Sequence, residues 1–269
     1  MRLVLPLSSR RACDPSVAGG KGSGLARLLR AGFPVPPGFV ITTAALRGPV
    51  SQALEIVLSA ASSRESNGLD SARRACLDWE MPVASRRGIL DAYRRLGPGP
   101  VAVRSSLVGE DSGAASFAGQ LDTVLDVSGE SALLAAVGRV LASAFGDRLW
   151  EYLRRSPSGE PGPGSPRVAG APSGSQERTG PPLPPLSLAV VVQSMVPAVV
   201  SGAAFSCDPM TAHPGVVIEA CRGLCEDLVQ GRVRPDRYRL DPRGEIDEIV
   251  PAEPGAPLLD EARIKALGA

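Results

Sequence analysis

Aromatic residues make up only 4% of this 269-residue chain, so its core has to be assembled mostly from Ala, Val and Leu. Neither sign of charge is in excess. Lys+Arg 29 against Asp+Glu 28 leaves a net charge of +1, which does not indicate a generally basic nucleic-acid surface and leaves only a local patch open. A long hydrophobic run is also missing. The best stretch, Leu188 to Phe205, is broken by Gln193, Ser194, Pro197 and Ser201, and reads as two strands and a turn rather than a membrane span. The opening MRLVLPLSSRR has an apolar run of five residues, too short for a secretory signal. Cysteine is scarce and odd in number (Cys13, Cys76, Cys207, Cys221, Cys225), which argues against a disulfide framework and for small thiols in a reducing cytoplasm. His213 is the only histidine, and a zinc site from Cys207, His213, Cys221 and Cys225 fits no usual ligand spacing. The expectation is a cytoplasmic protein without membrane or nucleic-acid partners, with no metal ligand assigned.

Gly 30 and Pro 26, by contrast, are abundant. They concentrate in residues 156–185, where twenty of thirty positions are Pro, Gly or Ser. Such a segment cannot repay the entropy of ordering and is expected to be a flexible linker. Before it, apolar residues from Ser131 to Arg155 recur at helical spacing (Leu133, Leu134, Val137, Val140, Leu141, Phe145, Leu149, Tyr152), predicting one long amphipathic helix. After it, LAVVVQSMV, GAAFSCDPM and VVIEA read as buried strands separated by short turns. Upstream, a short helix over Lys21–Arg30 is opened by Gly-Gly, and Gly38–Thr42 is a strand after a Pro-Pro-Gly turn. Helices are expected over Ala45–Ala61 and Arg86–Leu96, with a strand at Pro100–Ser105. Mixed strands and helices without regular alternation or internal repeat give an α+β class.

Three stretches can carry chemistry. Gly19-Gly20-Lys21-Gly22-Ser23-Gly24 opens a helical pattern, so close backbone approach, the helix N-terminus and the lysine can together hold an anion. It is not a Walker A motif, and a Gly-rich turn with a solvated lysine explains the same residues. Val101-Ala-Val-Arg104-Ser105-Ser106 delivers a guanidinium at a strand end, where it can fork onto phosphate oxygens. Ser116, Ala118 and Gly119 then form a small-residue loop leading to Asp122 and Thr123. The plainer alternative pairs Arg104 with Glu110 or Asp111 on the surface. In Val190-Val-Val-Gln193-Ser-Met195-Val196, the strand end can offer backbone groups and Gln193 to a flat heterocycle, or Gln193 is simply a satisfied core residue.

Taken in order, GGKGSGLARLLRAGFPVPPGFVITTAA, VAVRSSLVGEDSGAASFAGQLDTVLDV, LAVVVQSMVPAVVSGAAFSCDPMT and VIEACRGLCEDLVQGRVRPDRYRLD resemble the nucleotide-binding domain shared by phosphoenolpyruvate synthase, pyruvate phosphate dikinase and rifampicin phosphotransferase. The resemblance runs from about Ala18 to Leu240 except for the linker. It implies an α+β, two-lobed ATP-grasp fold divided as 1–155, carrying the phosphate loops, 156–185, the linker, and 186–269, carrying the adenine-side strands. It places ATP phosphates at Lys21, Arg104, Gly119 and Thr123, and adenine at Gln193 with backbone groups near Met195 and Val196.

The implied chemistry is a relay in which ATP, with Mg²⁺ bridging oxygens, phosphorylates a histidine on a separate swivelling domain. In the family, an acidic strand and a Q-x-R-P strand complete the nucleotide domain. This chain stops at Ala269, where that pair is expected to begin, so it is expected to be C-terminally incomplete, without the Mg²⁺ carboxylate or the phosphorylated histidine. His213 falls in a variable turn and is not taken for that histidine; no catalytic residue is assigned. The expected function is the ATP-binding part of a phosphoenolpyruvate synthase-like phosphotransferase, inactive alone, with a second polypeptide as the possible carrier of the remaining domains. The alternative is a degenerate module that binds nucleotide or a partner without catalysis.

Overall fold

A computed structural model describes residues 2–63, 67–109, 121–146, 186–209, 211 and 214–268. The predicted linker 156–185, the loop carrying Gly119, and His213 lie outside these residues. The described chain forms two compact units, 1–195 and 196–269.

The first unit is built on a five-stranded antiparallel sheet in the order β1 (Val4–Pro6), β2 (Gly38–Ile41), β5 (Leu188–Ser194), β3 (Val101–Leu107), β4 (Thr123–Val127). β5 follows the predicted linker in sequence yet is the central strand, which is why LAVVVQ reads as an unbroken apolar run instead of an alternating one. Its side chains divide between two faces. Leu188, Val190 and Val192 join Phe39, Ile41, Val101, Val103 and Leu107 in the main core beneath α2 (Thr43–Ser63), α3 (Gly68–Leu77), α4 (Val83–Leu96) and α5 (Glu130–Ser143). Ala189 and Val191 join Leu7, Ala18 and Val40 on the opposite face, under α1 (Pro15–Arg30).

Sequence and structure differ in instructive places. The helix expected over Ser131–Arg155 stops at Ser143. There the carbonyls of Leu141, Ala142 and Ser143 accept from Ala144, Phe145 and Gly146, a three-residue tightening that ends the helix and turns Phe145 into the core. Residues 147–155 are outside the described set. α3 and β4 have no counterpart among the elements expected from the sequence. β4 carries a bulge opposite Ala102, and Asp126 there adopts φ 54°.

The second unit is a meander of β6 (Val200–Cys207), β7 (Pro214–Arg222), β8 (Asp236–Leu240) and β9 (Ile246–Val250). The short helix α6 (Glu226–Val229) joins β7 to β8, and α7 (Glu261–Gly268) follows β9. Its core is Ile218, Ala220, Tyr238, Leu240, Leu259 and Ile264. The expectation that GAAFSCDPM is a buried strand is not met: β6 is the sheet edge and is largely exposed, with Phe205 38% accessible. An edge strand is covered from one side only, and small residues such as Ala203 and Ala204 do not distinguish that position from a buried one.

Among the described residues, no helix is long and apolar enough to cross a membrane.

Candidate functional site

α1 starts conventionally, with Pro15 in its first turn and the Asp14 carboxylate accepting from the Ser16 N–H at 2.9 Å. It does not continue as one helix. Gly19 has φ 70° and ψ 180°, which breaks the turn formed by Pro15–Ala18 from the helix that runs on through Lys21 to Arg30. Glycine is required here twice over. The φ lies in the left-handed region, and a Cβ would stand 2.2 Å from the Ser106 carbonyl oxygen. The GGKG sequence thus makes a second helix start in the middle of α1, as the Gly-Gly opening predicts.

Ser106 fixes that start to the sheet. Its hydroxyl donates to the Ala18 carbonyl at 2.7 Å and accepts from the Gly22 N–H at 3.0 Å, and the residue is fully buried. It does the work of a helix N-cap from a different strand, satisfying one orphan donor and the carbonyl before the break. Ser23 closes the turn by donating to the Gly20 carbonyl at 3.0 Å. Gly22 lies against Val191 and Val40, 3.4 Å from a methyl of each at the Cβ position. The first and second motifs are therefore one structural unit.

Strand alternation then puts Arg104 on the same face as Ser106, two residues away. Arg104 is directly opposite Thr123 of β4 on one side and Val191 of β5 on the other. Gln193 pairs with Ala102 and Gly38 and so shares this face, diagonal to Arg104 at about 7–8 Å. Thr123, Arg104 and Gln193 form a polar diagonal across β4, β3 and β5 on the face that α1 only partly covers. Arg104 is half-buried, Thr123 is exposed, and Gln193 is buried with its Nε2 donating to the Pro36 carbonyl at 3.1 Å. Lys21 is half-buried near the start of the second helical segment. Met195 donates its N–H to the Pro100 carbonyl at 3.0 Å, so that donor is committed within the first unit. Val196 is 53% exposed, and its carbonyl accepts from Ala198 at 2.8 Å.

The structure thus gathers Lys21, Arg104, Thr123 and Gln193 about one face of one sheet, and Met195 follows the end of its central strand. Gly119 lies outside the described residues. Ser106 is a positioning residue of this face that lies outside the candidate set read from the sequence. The signal was available: a second serine at the same strand parity as Arg104, facing a Gly-Gly that needs a cap.

A second polar cluster, in the other unit, has no counterpart in the sequence reading. Asp236 is buried, and its carboxylate accepts from the Ala252 and Leu258 N–H groups, both at 2.7 Å, and from the Tyr238 hydroxyl at 2.9 Å. Burial pushes its pKa upward, but these donors, with Arg222 nearby, outweigh that effect and hold it below the usual carboxylate range. Tyr238 accepts in turn from the Leu259 N–H at 3.0 Å, and its own pKa is raised, first by burial. With every oxygen partnered, this network ties β8 to the chain leading into α7.

Similarity to known proteins identifies the module to which this face belongs. Residues 15–252 match the family described as pyruvate phosphate dikinase, AMP/ATP-binding domain. The chain is 34% identical over 249 residues to the prodigiosin synthesizing transferase PigC of Serratia marcescens, covering 91% of this chain and 24% of that protein. It is 34% identical over 254 residues to the phosphoenolpyruvate synthase of Aeropyrum pernix, covering 88% and 28%. With the rifampicin phosphotransferase of Streptomyces sviceus, identity is 35% over 257 residues, covering 91% and 27%. The chain spans roughly a quarter of the length of these relatives. With most of its length matched to one nucleotide-binding module, and that module's glycine loop docked on its arginine strand, this chain belongs to the pyruvate phosphate dikinase AMP/ATP-binding domain family.

Proposed function

We propose that the chain is a two-lobed ATP-grasp domain that binds ATP and serves as the phosphoryl-donor portion of a phosphoenolpyruvate synthase-like phosphotransferase. Lys21, Arg104, Gly119 and Thr123 hold the phosphates in this reading, and Gln193, Met195 and Val196 meet the adenine. The chain is then divided by connectivity as 1–155, 156–185 and 186–269. The phosphoryl acceptor is a histidine on a separate domain, carried by the rest of the assembly. The observation that supports this best is the Ser106 hydroxyl bridging Ala18 and Gly22. It holds a helix N-terminus against the strand that bears Arg104, so a backbone anion site and a guanidinium are positioned by the same hydrogen bonds.

What these residues contribute is binding and placement. Lys21 and Arg104 neutralise phosphate charge, and a planar guanidinium can engage two oxygens at once. Thr123, directly across from Arg104, adds a hydroxyl at the same level of the sheet. Gln193 gives one Nε2 hydrogen to the Pro36 carbonyl, which leaves its second N–H and its oxygen as the groups proposed to meet a ligand. Mg²⁺ completes the proposal as a neutraliser of phosphate charge. Among the described residues, no three His, Cys, Asp or Glu side chains converge as a cage for it. The ion is proposed to arrive on the nucleotide, as Mg²⁺ commonly does.

Calorimetric titration of ATP tests the assignment. Removing one charged hydrogen bond costs about 1.5–3 kcal/mol, so Lys21→Ala with Arg104→Ala is expected to weaken ATP binding at least about a hundredfold. Equal affinity in the wild type and the double variant would remove Lys21 and Arg104 from the site.

A further inference from the structure

The far end of α1 presents a second concentration of positive charge. Arg27 and Arg30 in its last turns and Arg10 in the 3₁₀ turn Arg10–Cys13 line one open concavity of about 720 Å³, together with Cys13, Asp14 and Ala31. All three arginines are exposed. Arginines in the last turn of a helix are ordinary partners of its carbonyl end and need no ligand to explain them. Arg10 is different, because it comes from another element and faces the same concavity.

The local charge is not balanced from within. Among the described residues Asp14 is the only acid lining the concavity; its Oδ1 accepts from the Ser16 N–H at 2.9 Å and the Ser16 hydroxyl at 2.7 Å, and its single negative charge still leaves the three arginines in excess. Arg27 donates one Nη2 hydrogen to the Cys13 carbonyl at 3.2 Å, which pins the two elements together and leaves its other donors directed elsewhere. Among the described residues, none of the three arginines has an ion-pair partner. In a chain with a net charge of only +1, three guanidiniums facing one carboxylate around one concavity make a local excess of positive charge. The site also lies apart from the nucleotide face: Arg27 and Arg30 are six and nine residues beyond Lys21, roughly 9–14 Å along the helix.

We propose that this concavity is a second anion site, which takes a small, multiply charged phosphate compound with Arg10, Arg27 and Arg30 as its cationic wall. Guanidinium forks match phosphate oxygens in pairs, and an open, shallow site suits a chain of phosphates better than an apolar ligand. The inference does not depend on the nucleotide assignment.

Inorganic tripolyphosphate is the probe, titrated calorimetrically into the full chain carrying Lys21→Ala and Arg104→Ala so that the proposed nucleotide face is disabled. Saturable binding is expected, weakened about ten- to a hundredfold when Arg10→Gln and Arg30→Gln are added. As a second readout in the otherwise unaltered chain, alkylation of Cys13, mapped by mass spectrometry, is expected to slow on adding tripolyphosphate. That protection is lost with Arg10→Gln and Arg30→Gln and kept with Lys21→Ala. ATP protecting Cys13 as well as tripolyphosphate does would make the phosphate chain of a nucleotide a sufficient ligand. Binding and protection that ignore Arg10 and Arg30, or no protection at all, would overturn the proposal. Loss of ATP binding on Lys21→Ala would leave it standing, since that result bears on the other site.

Discussion

In the first unit the central strand β5 buries six consecutive residues, Leu188 to Gln193, between helices on both faces. In the second unit no strand is buried along its length; six core residues are supplemented by a carboxylate with three hydrogen-bond donors around it. The difference follows from layers. A sheet covered on two sides can be stabilised by apolar area alone, and Val190, Val191 and Val192, all fully buried, contribute up to roughly 1.5–3 kcal/mol each. A meander with a small core has less area to remove from water, so satisfied polar groups matter more to it. The first unit is thus vulnerable to changes in volume and backbone, and the second to changes in charge.

The largest effect is expected where the first unit allows no extra atom. Gly19→Ala puts a methyl group 2.2 Å from the Ser106 carbonyl oxygen and into a left-handed φ. Positive-φ, extended backbone of this kind costs about 1–3 kcal/mol for a non-glycine residue, and overpacking commonly adds about 1–3. A loss of about 3–4 kcal/mol in denaturant unfolding is expected, followed by Trp79, which packs against the first unit's core. Hydrogen exchange should rise in β3 and β5 while the β7 and β8 peptides stay as they were. Equal loosening of both sets would show that the two units do not respond separately.

A smaller effect tests the hydrogen bonds at the same joint. Ser106→Ala leaves the Gly22 N–H and the Ala18 carbonyl without their shared partner in a buried place. A buried unsatisfied polar group costs about 1–3 kcal/mol, and the helix start should loosen with it. ATP affinity is expected to fall in the same variant although Ser106 is not assigned a ligand contact. Unchanged affinity with lowered stability would restrict Ser106 to a purely structural role.

How much of this was legible depended on whether the signal was local. The GGKG turn, the β2 strand and the apolar β5 run are written in adjacent residues, whereas Arg104, expected at a strand end, lies in the middle of β3, because β3 runs on through Ser106 to Leu107. What was not legible needed partners distant in sequence. β5 reads as buried but not as central, because its neighbours β2 and β3 come from before the linker. β6 reads like β5 and yet lies at an edge, because the next strand decides coverage. Asp236 looks like one more surface acid, since its donors arrive from Ala252 and Leu258, sixteen and twenty-two residues on. Ser106 was half legible: its parity with Arg104 is local, but its partners are 84 and 88 residues away.

The finest distinction between the units should appear in acid. Asp236 is held below the usual carboxylate range in the folded chain. A carboxyl with a depressed folded pKa contributes stability that is fully present above its unfolded value, near 4, and is lost as pH falls through its folded value. One such group changes the unfolding free energy by at most about 1.4 kcal/mol per pH unit, and its contribution is expected to fall as pH drops below about 4. Other carboxylates contribute to the same slope, and the difference between variants isolates this one. Asp236→Asn cannot ionise and lacks one acceptor for the Ala252, Leu258 and Tyr238 donors, so it should be less stable at neutral pH and show a shallower acid dependence. Hydrogen exchange of β8 and of the segment entering α7, compared at pH 5 and pH 3.5 after correction for intrinsic rates, reads the effect locally. Parallel pH profiles for Asp236→Asn and wild type would mean that the carboxylate is not what makes the second unit sensitive to charge.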